Sequence, residues 1–123
     1  MNPVRILFVD DEKAFRVASR LLLESEGYIV DTACDGADAE QCLQRNHYDV
    51  VITDIVMPKK EGIEFILDIR TKKLPVKIIA ISGGGRNSGQ EYLTMAKAFK
   101  ADAILAKPYA FKDLLAIIRQ LTA

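Results

Sequence analysis

Val4-Arg5-Ile6-Leu7-Phe8-Val9-Asp10-Asp11 is an apolar run interrupted once, by Arg5, and stopped by two carboxylates. Three further runs end the same way: 50–53 on Asp54, 76–81 on Ser82, and 103–106 on Lys107. A short, near-continuous apolar run reads as a strand of a parallel sheet covered on both faces, because a sheet with one wet face would alternate. Parallel strands laid side by side bring their carboxyl ends to one edge, and open α/β sheets bind ligands at that edge. Three carboxylates, a hydroxyl and a lysine then converge there. Such a set can hold a hard divalent cation, attack a phosphoryl group and neutralise its oxygens.

Outward from these runs the period turns helical. Residues 12–26 put Phe15, Ala18, Leu22 and Leu23 at helical spacing, with Gly27 as the stop. Residues 28–34 alternate as a strand, Asp35-Gly36 is a turn, and 37–45 carries the helix formers Ala, Glu, Gln and Leu. A third strand covers 48–53. Met57-Pro58 with Gly62 makes a loop before a helix over about 61–72, and Pro75 separates that helix from the fourth strand. Gly83-Gly84-Gly85 opens a polar loop, a helix covers roughly 89–100, and the fifth strand ends at Lys107-Pro108. Phe111, Leu114, Leu115 and Ile118 give the last helix its buried face. Five β-α units without linker, repeat or low-complexity stretch predict one α/β domain over 1–123. Its fold is a flavodoxin-like (βα)5 three-layer arrangement, with a five-stranded parallel sheet in the order 2-1-3-4-5.

Composition fits that size. The chain has 123 residues, of which 50% are hydrophobic, enough for one real core. Seventeen basic and seventeen acidic residues leave no net charge, so no long-range field recruits nucleic acid and no direct nucleic-acid binding is expected. Cys34 and Cys42 are too far apart for a Cys-x-x-Cys motif and too few for a disulfide framework; reduced, partly buried thiols are expected. The start shows no secretory signal and no stretch reaches membrane-spanning length, which predicts a soluble cytoplasmic protein without membrane insertion. His47 stands in a polar connection with no second ligand at metal spacing and reads as a solvated loop residue. The triglycine lacks the Lys-Ser/Thr ending of a nucleotide phosphate loop and reads as a hinge.

Asp10-Asp11 after an apolar strand, Asp54-Ile55-Val56-Met57-Pro58 with Gly62, Ser82 closing one strand and Lys107-Pro108 closing another resemble the receiver domain of bacterial two-component response regulators. The resemblance covers the whole chain and is nearest in kind to the stand-alone receivers of chemotaxis. It implies a phosphoacceptor signalling domain of a phosphorelay, in which Asp54 accepts a phosphoryl group from a sensor histidine kinase or a histidine phosphotransfer protein and partner binding then switches. It also implies Mg2+ as cofactor, held by Asp10, Asp11, Asp54 and the main-chain carbonyl of Val56, with Asp11 a direct ligand and Asp10 acting through water. Ser82 and Lys107 are then the phosphate-contacting and switch residues, and the bond before Pro108 is cis. Such a domain is not an enzyme beyond catalysing its own phosphorylation and dephosphorylation.

One position departs from the family's pattern. Three residues before the lysine, where a Tyr or Phe is common, stands Ile104, which cannot sweep out a ring's volume or offer a phenol hydrogen bond. Coupling from Ser82 to the outer face is expected to be weaker or carried by the glycine loop. Nothing after Ala123 could form an output domain, so a stand-alone receiver is expected, acting on a downstream protein or a second copy through the face of the fourth helix, fifth strand and fifth helix. On the first helix Ala14, Val17 and Leu21 recur at helical spacing beside Arg16 and Arg20, a stripe suited to a phosphohistidine helix bundle. Two rivals fit less well. A dehalogenase-like phosphatase needs a second aspartate two residues after its nucleophile, and Asp54 is followed by Val56. A flavodoxin needs a Ser/Thr-rich phosphate loop where this chain places carboxylates.

Overall fold

The computed structural model describes residues 2–55, 62–82 and 101–123. In chain order they form β1 (Arg5–Val9), α1 (Lys13–Ser25), β2 (Ile29–Ala33), α2 (Gly36–Arg45), β3 (Val50–Asp54), α3 (Gly62–Thr71), β4 (Lys77–Ser82), β5 (Ala103–Ala106) and α4 (Phe111–Thr122). The Met57-Pro58 loop, the triglycine and the helix expected over 89–100 lie outside the described residues. The strands make one parallel sheet in the order β2-β1-β3-β4-β5, as the sequence predicts.

Both faces of this sheet are covered, which is why its central strands β1, β3 and β4 are apolar over most of their length, while β2 at the edge carries Asp31 and Thr32. Along β1 the side chains alternate between two cores: Leu7 and Val9 join Val51, Ile78 and Ala80 beneath Ala39 of α2 and Phe65, Ile66 and Ile69 of α3. Ile6 and Phe8 join Val50, Ile52, Ile79 and Ile81 beneath Leu23 of α1 and Leu114, Leu115 and Ile118 of α4. Helices on either side of the sheet give the three layers. No helix among the described residues is long and apolar enough to cross a membrane.

The first helix is rotated from the expected face. Phe15, Ser19 and Leu23 turn inward at steps of four, Ser19 and Leu23 being buried, while Ala18 is exposed and Leu22 is 48% exposed. A small serine fits a close helix-to-sheet approach, and a search for apolar residues passes over it. At the start of α2, Asp35 is not a turn residue but the N-cap: its carboxylate accepts from the Asp38 N–H (2.8 Å), and the Asp38 carboxylate accepts from the Cys34 N–H (3.0 Å). Cys34 is exposed rather than partly buried, and Cys42 is half-buried. Gly27 follows α1 with φ +94°, the left-handed position that glycine occupies without strain.

Side chains also tie the elements together. The Tyr48 hydroxyl donates to Asp31 Oδ2 (2.6 Å), joining the approach to β3 to β2. Asp102 accepts from Arg70 of α3 and from the Ile78 N–H, both at 2.7 Å, so one carboxylate pins α3 and β4 at the entry to β5.

The rotation of α1 yields a direct test. Leu23→Ala should destabilise the domain by about 3 kcal/mol, whereas Leu22→Ala should change stability by less than about 0.5 kcal/mol in urea unfolding. The reverse order would restore the face expected from sequence.

Candidate functional site

Strand register builds the site. Val9 pairs with Thr53, Asp54 with Ile81, and Ser82 with Ala106, so the residues at or just after these strand ends, Asp10, Asp54, Ser82 and Lys107, share one edge of the sheet. The ladders continue one step past the strands. The Asp10 N–H donates to Ala33 O (3.1 Å), the Ile55 N–H to Ile81 O (2.8 Å) and the Lys107 N–H to Ser82 O (2.7 Å), holding the backbone under each polar side chain.

Asp10 and Asp54 are buried, at 2% and 7% exposure, while Asp11 is exposed. One carboxylate oxygen from each of the three lies within 4.8 Å of the others. Lys107 Nζ donates to Asp10 Oδ2 (3.1 Å) and to Asp54 Oδ2 (3.3 Å) and so bridges the two buried anions. The second Asp10 oxygen accepts from the Glu12 N–H at the start of α1 (2.8 Å). Burial would push the Lys107 ammonium down. Its hydrogen bond to Asp10 and the charges of Asp10 and Asp54 outweigh that effect and hold it above its ordinary value. Next to it, desolvation together with the charges of Asp10 and Asp54 pushes the Tyr109 phenol up to about 12.

Ser82 is fully buried, and its Oγ has no hydrogen-bond partner among the described residues. The Lys107–Pro108 bond is cis. Ile104 is half-buried, pairs with Ala80 and packs on the core beneath α2 and α3. Val56 lies outside the described residues, and His47 is exposed.

Three residues outside the set expected at the site also belong here. Arg16, expected among the charges bordering a docking stripe, donates from Nη1 to the Asp10 carbonyl (2.8 Å). Phe15 and Tyr109 flank Lys107, with Phe15 lying against the ammonium and Tyr109 against Phe15. Their signal was positional: Phe15 and Arg16 fall one helical turn past Asp11-Glu12, and Tyr109 directly after Lys107-Pro108.

Residues 6–119 match the response regulator receiver domain family. A response regulator named MprA from Mycobacterium sp. strain KMS is 37% identical over 119 residues, a match that takes in 97% of this chain and 50% of the relative. The chain spans about half the length of the curated relatives it matches. Among solved structures, the response regulator TrrA from Thermotoga maritima in complex with Mg2+-BeF is similar with a TM-score of 0.82 and 36% identity, over 96% of this chain and 98% of that one. The chemotaxis protein CheY4 of Vibrio cholerae is similar with a TM-score of 0.87 and 29% identity, over 98% and 99%. The chain therefore belongs to the receiver-domain family of response regulators, the phosphoacceptor modules of two-component signalling.

Proposed function

We propose that Asp54 is the phosphoacceptor of this receiver and that Lys107, Ser82, Asp10 and Asp11 serve its phosphorylation. The observation that carries this reading is the Lys107 ammonium shared between Asp10 and Asp54, with Asp11 completing a group of three carboxylates at the sheet edge. The donor set suits magnesium, which takes one or two carboxylates and keeps several waters, and the exposure of Asp11 leaves room for them. Asp10, Asp11 and Asp54 would hold the ion, with the Val56 carbonyl as the fourth protein donor expected from sequence. When bound there, magnesium supplies the positive charge that lets an anionic carboxylate meet an anionic phosphoryl group.

The remaining chemistry belongs to the chain. An Asp54 carboxylate oxygen attacks phosphorus; the new O–P bond forms as the donor's N–P bond breaks, and the imidazole nitrogen keeps the electron pair. Lys107, already at Asp54, neutralises the oxygens of the transferred group as a point charge. The Ser82 hydroxyl donates a hydrogen bond to one of them. On this reading the domain catalyses only its own phosphorylation and dephosphorylation.

Receiver domains of response regulators interact with histidine kinases or phosphotransfer proteins. For this chain the docking face we infer is the outer side of α1. Ala14, Val17 and Leu21 are exposed, Val17 at 46% and Leu21 at 62%, and the rotation of α1 adds Ala18 and Leu22 to the same surface. An apolar strip of that breadth beside the acidic edge fits a helix bundle carrying phosphohistidine. The output reading keeps the side of β5 and α4, with the fourth helix expected from sequence lying outside the described residues, for a downstream protein or a second copy, in the cytoplasm, where phosphorelay partners meet.

Incubated with magnesium and a small phosphodonor, the protein should gain one phosphoryl group by intact mass. The gain should vanish without magnesium and in Asp54→Asn; labelling that persists in Asp54→Asn overturns the assignment. Val17→Glu should slow transfer from the protein donor by roughly tenfold or more, since a carboxylate would enter an apolar contact, while labelling by the small donor stays unchanged. Equal loss with both donors would place the effect in folding instead of docking.

A further inference from the structure

We propose that Phe15 is a positioning residue for Lys107: its ring face holds the ammonium inward, against Asp10 and Asp54, where it meets the phosphoryl group. The Lys107 Nζ lies 4.3 Å from the Phe15 ring centroid while it donates to both carboxylates. An ammonium over an aromatic face is attracted by the negative charge at the centre of the ring, and more strongly where water is scarce. The Lys107 side chain is 24% exposed, so most of its hydration is gone.

The ring is itself held from two sides. Phe8, buried in the core of β1, lies 6.0 Å away centroid to centroid and tilted by 48°. Tyr109 lies 6.2 Å away at 85°, close to an edge-to-face contact. A ring seated by the core on one side and by the segment after Lys107-Pro108 on the other presents a fixed face. Beside it, a cleft of about 360 Å³ walled by Phe15, Lys107, Pro108 and Tyr109 gives the flexible lysine stem room to swing away from the carboxylates. The contact with Phe15 opposes that swing. Packing alone would ask only for a bulky apolar side chain at 15, which leucine supplies, so the aromatic face and the bulk can be separated experimentally.

The kinetic arm of the test rests on Asp54 being the acceptor; the spectroscopic arm does not. Phe15→Leu should lower the rate of phosphorylation by a small donor with magnesium by roughly three- to tenfold, and Phe15→Tyr, which keeps the face, should restore it to within about twofold. In a Lys107→Met background Phe15→Leu should have no further effect, because the two side chains act as one unit. Without any phosphodonor, the Lys107 methylene proton signals should be shifted upfield by the Phe15 ring current and return to ordinary values in Phe15→Leu. Unshifted signals, additive effects of the two substitutions, or equal loss in Phe15→Leu and Phe15→Tyr would overturn the proposal. Labelling retained in Asp54→Asn would overturn the acceptor assignment instead, and the ring-current comparison would still decide the contact.

Discussion

Lys107, held between Asp10 and Asp54, is the interaction on which the rest of the structure depends. Two buried carboxylates side by side repel one another and have lost most of their hydration, and a buried charge persists only when it is paired and hydrogen-bonded. The pairing partner must come from a different strand, because Asp10 and Asp54 already end β1 and β3. It comes from β5, two strands beyond β3, so the charge triad forms only when β4 has been laid between them in the right register. Fold and site are therefore a single constraint.

The register itself is set from the ends. In a strand apolar on both faces, a slip of two residues leaves each face apolar, so the pattern along the strand does not choose between alignments. The polar residues at the ends do. A slip of β3 against β1 would carry Asp54 out of reach of Lys107 or draw a charge under the helices. Placing Asp10, Asp54 and Lys107 directly after apolar runs thus specifies alignment as well as chemistry, which is why the same feature of the sequence was readable as both.

What was legible follows from where the information is local. Each strand is announced by its own composition, and the order of the sheet by alternation with helices, so β1, β3, β4 and β5 and the residues that end them could be read directly. The buried face of α1 could not. Its rotation depends on how the chain leaves Asp10, where the Glu12 N–H donates to the Asp10 carboxylate before the first helical turn, and this places Ser19 inward and Leu22 outward. An apolar count alone cannot see that a serine is preferred at the closest approach. Phe15 turns inward as its spacing predicts, but its contact with Lys107, and the reach of Arg16 to the Asp10 carbonyl, depend on the orientation of the helix and are not written in the local pattern. Asp35 was read as a turn residue because an N-cap and a turn draw on the same residue types.

At Ile104 the sequence and the geometry meet on how a change at the edge can travel. Ile104 pairs with Ala80, two residues before Ser82, and packs on the core beneath α2 and α3, where a branched side chain fills space without a ring's sweep or a phenol's hydrogen bond. The tie between Ser82 and Lys107, the proposed switch residues, runs instead along the backbone, where the Lys107 N–H donates to Ser82 O at 2.7 Å. A phosphoryl group drawing on the Ser82 hydroxyl and the Lys107 ammonium together would pull on strand ends already joined by that hydrogen bond, so the two contacts reinforce each other. With the ammonium also seated on Phe15, whose helix carries the exposed Val17 and Leu21, the edge proposed to bind phosphate and the surface proposed for a partner are connected through one side chain and less than two turns of helix.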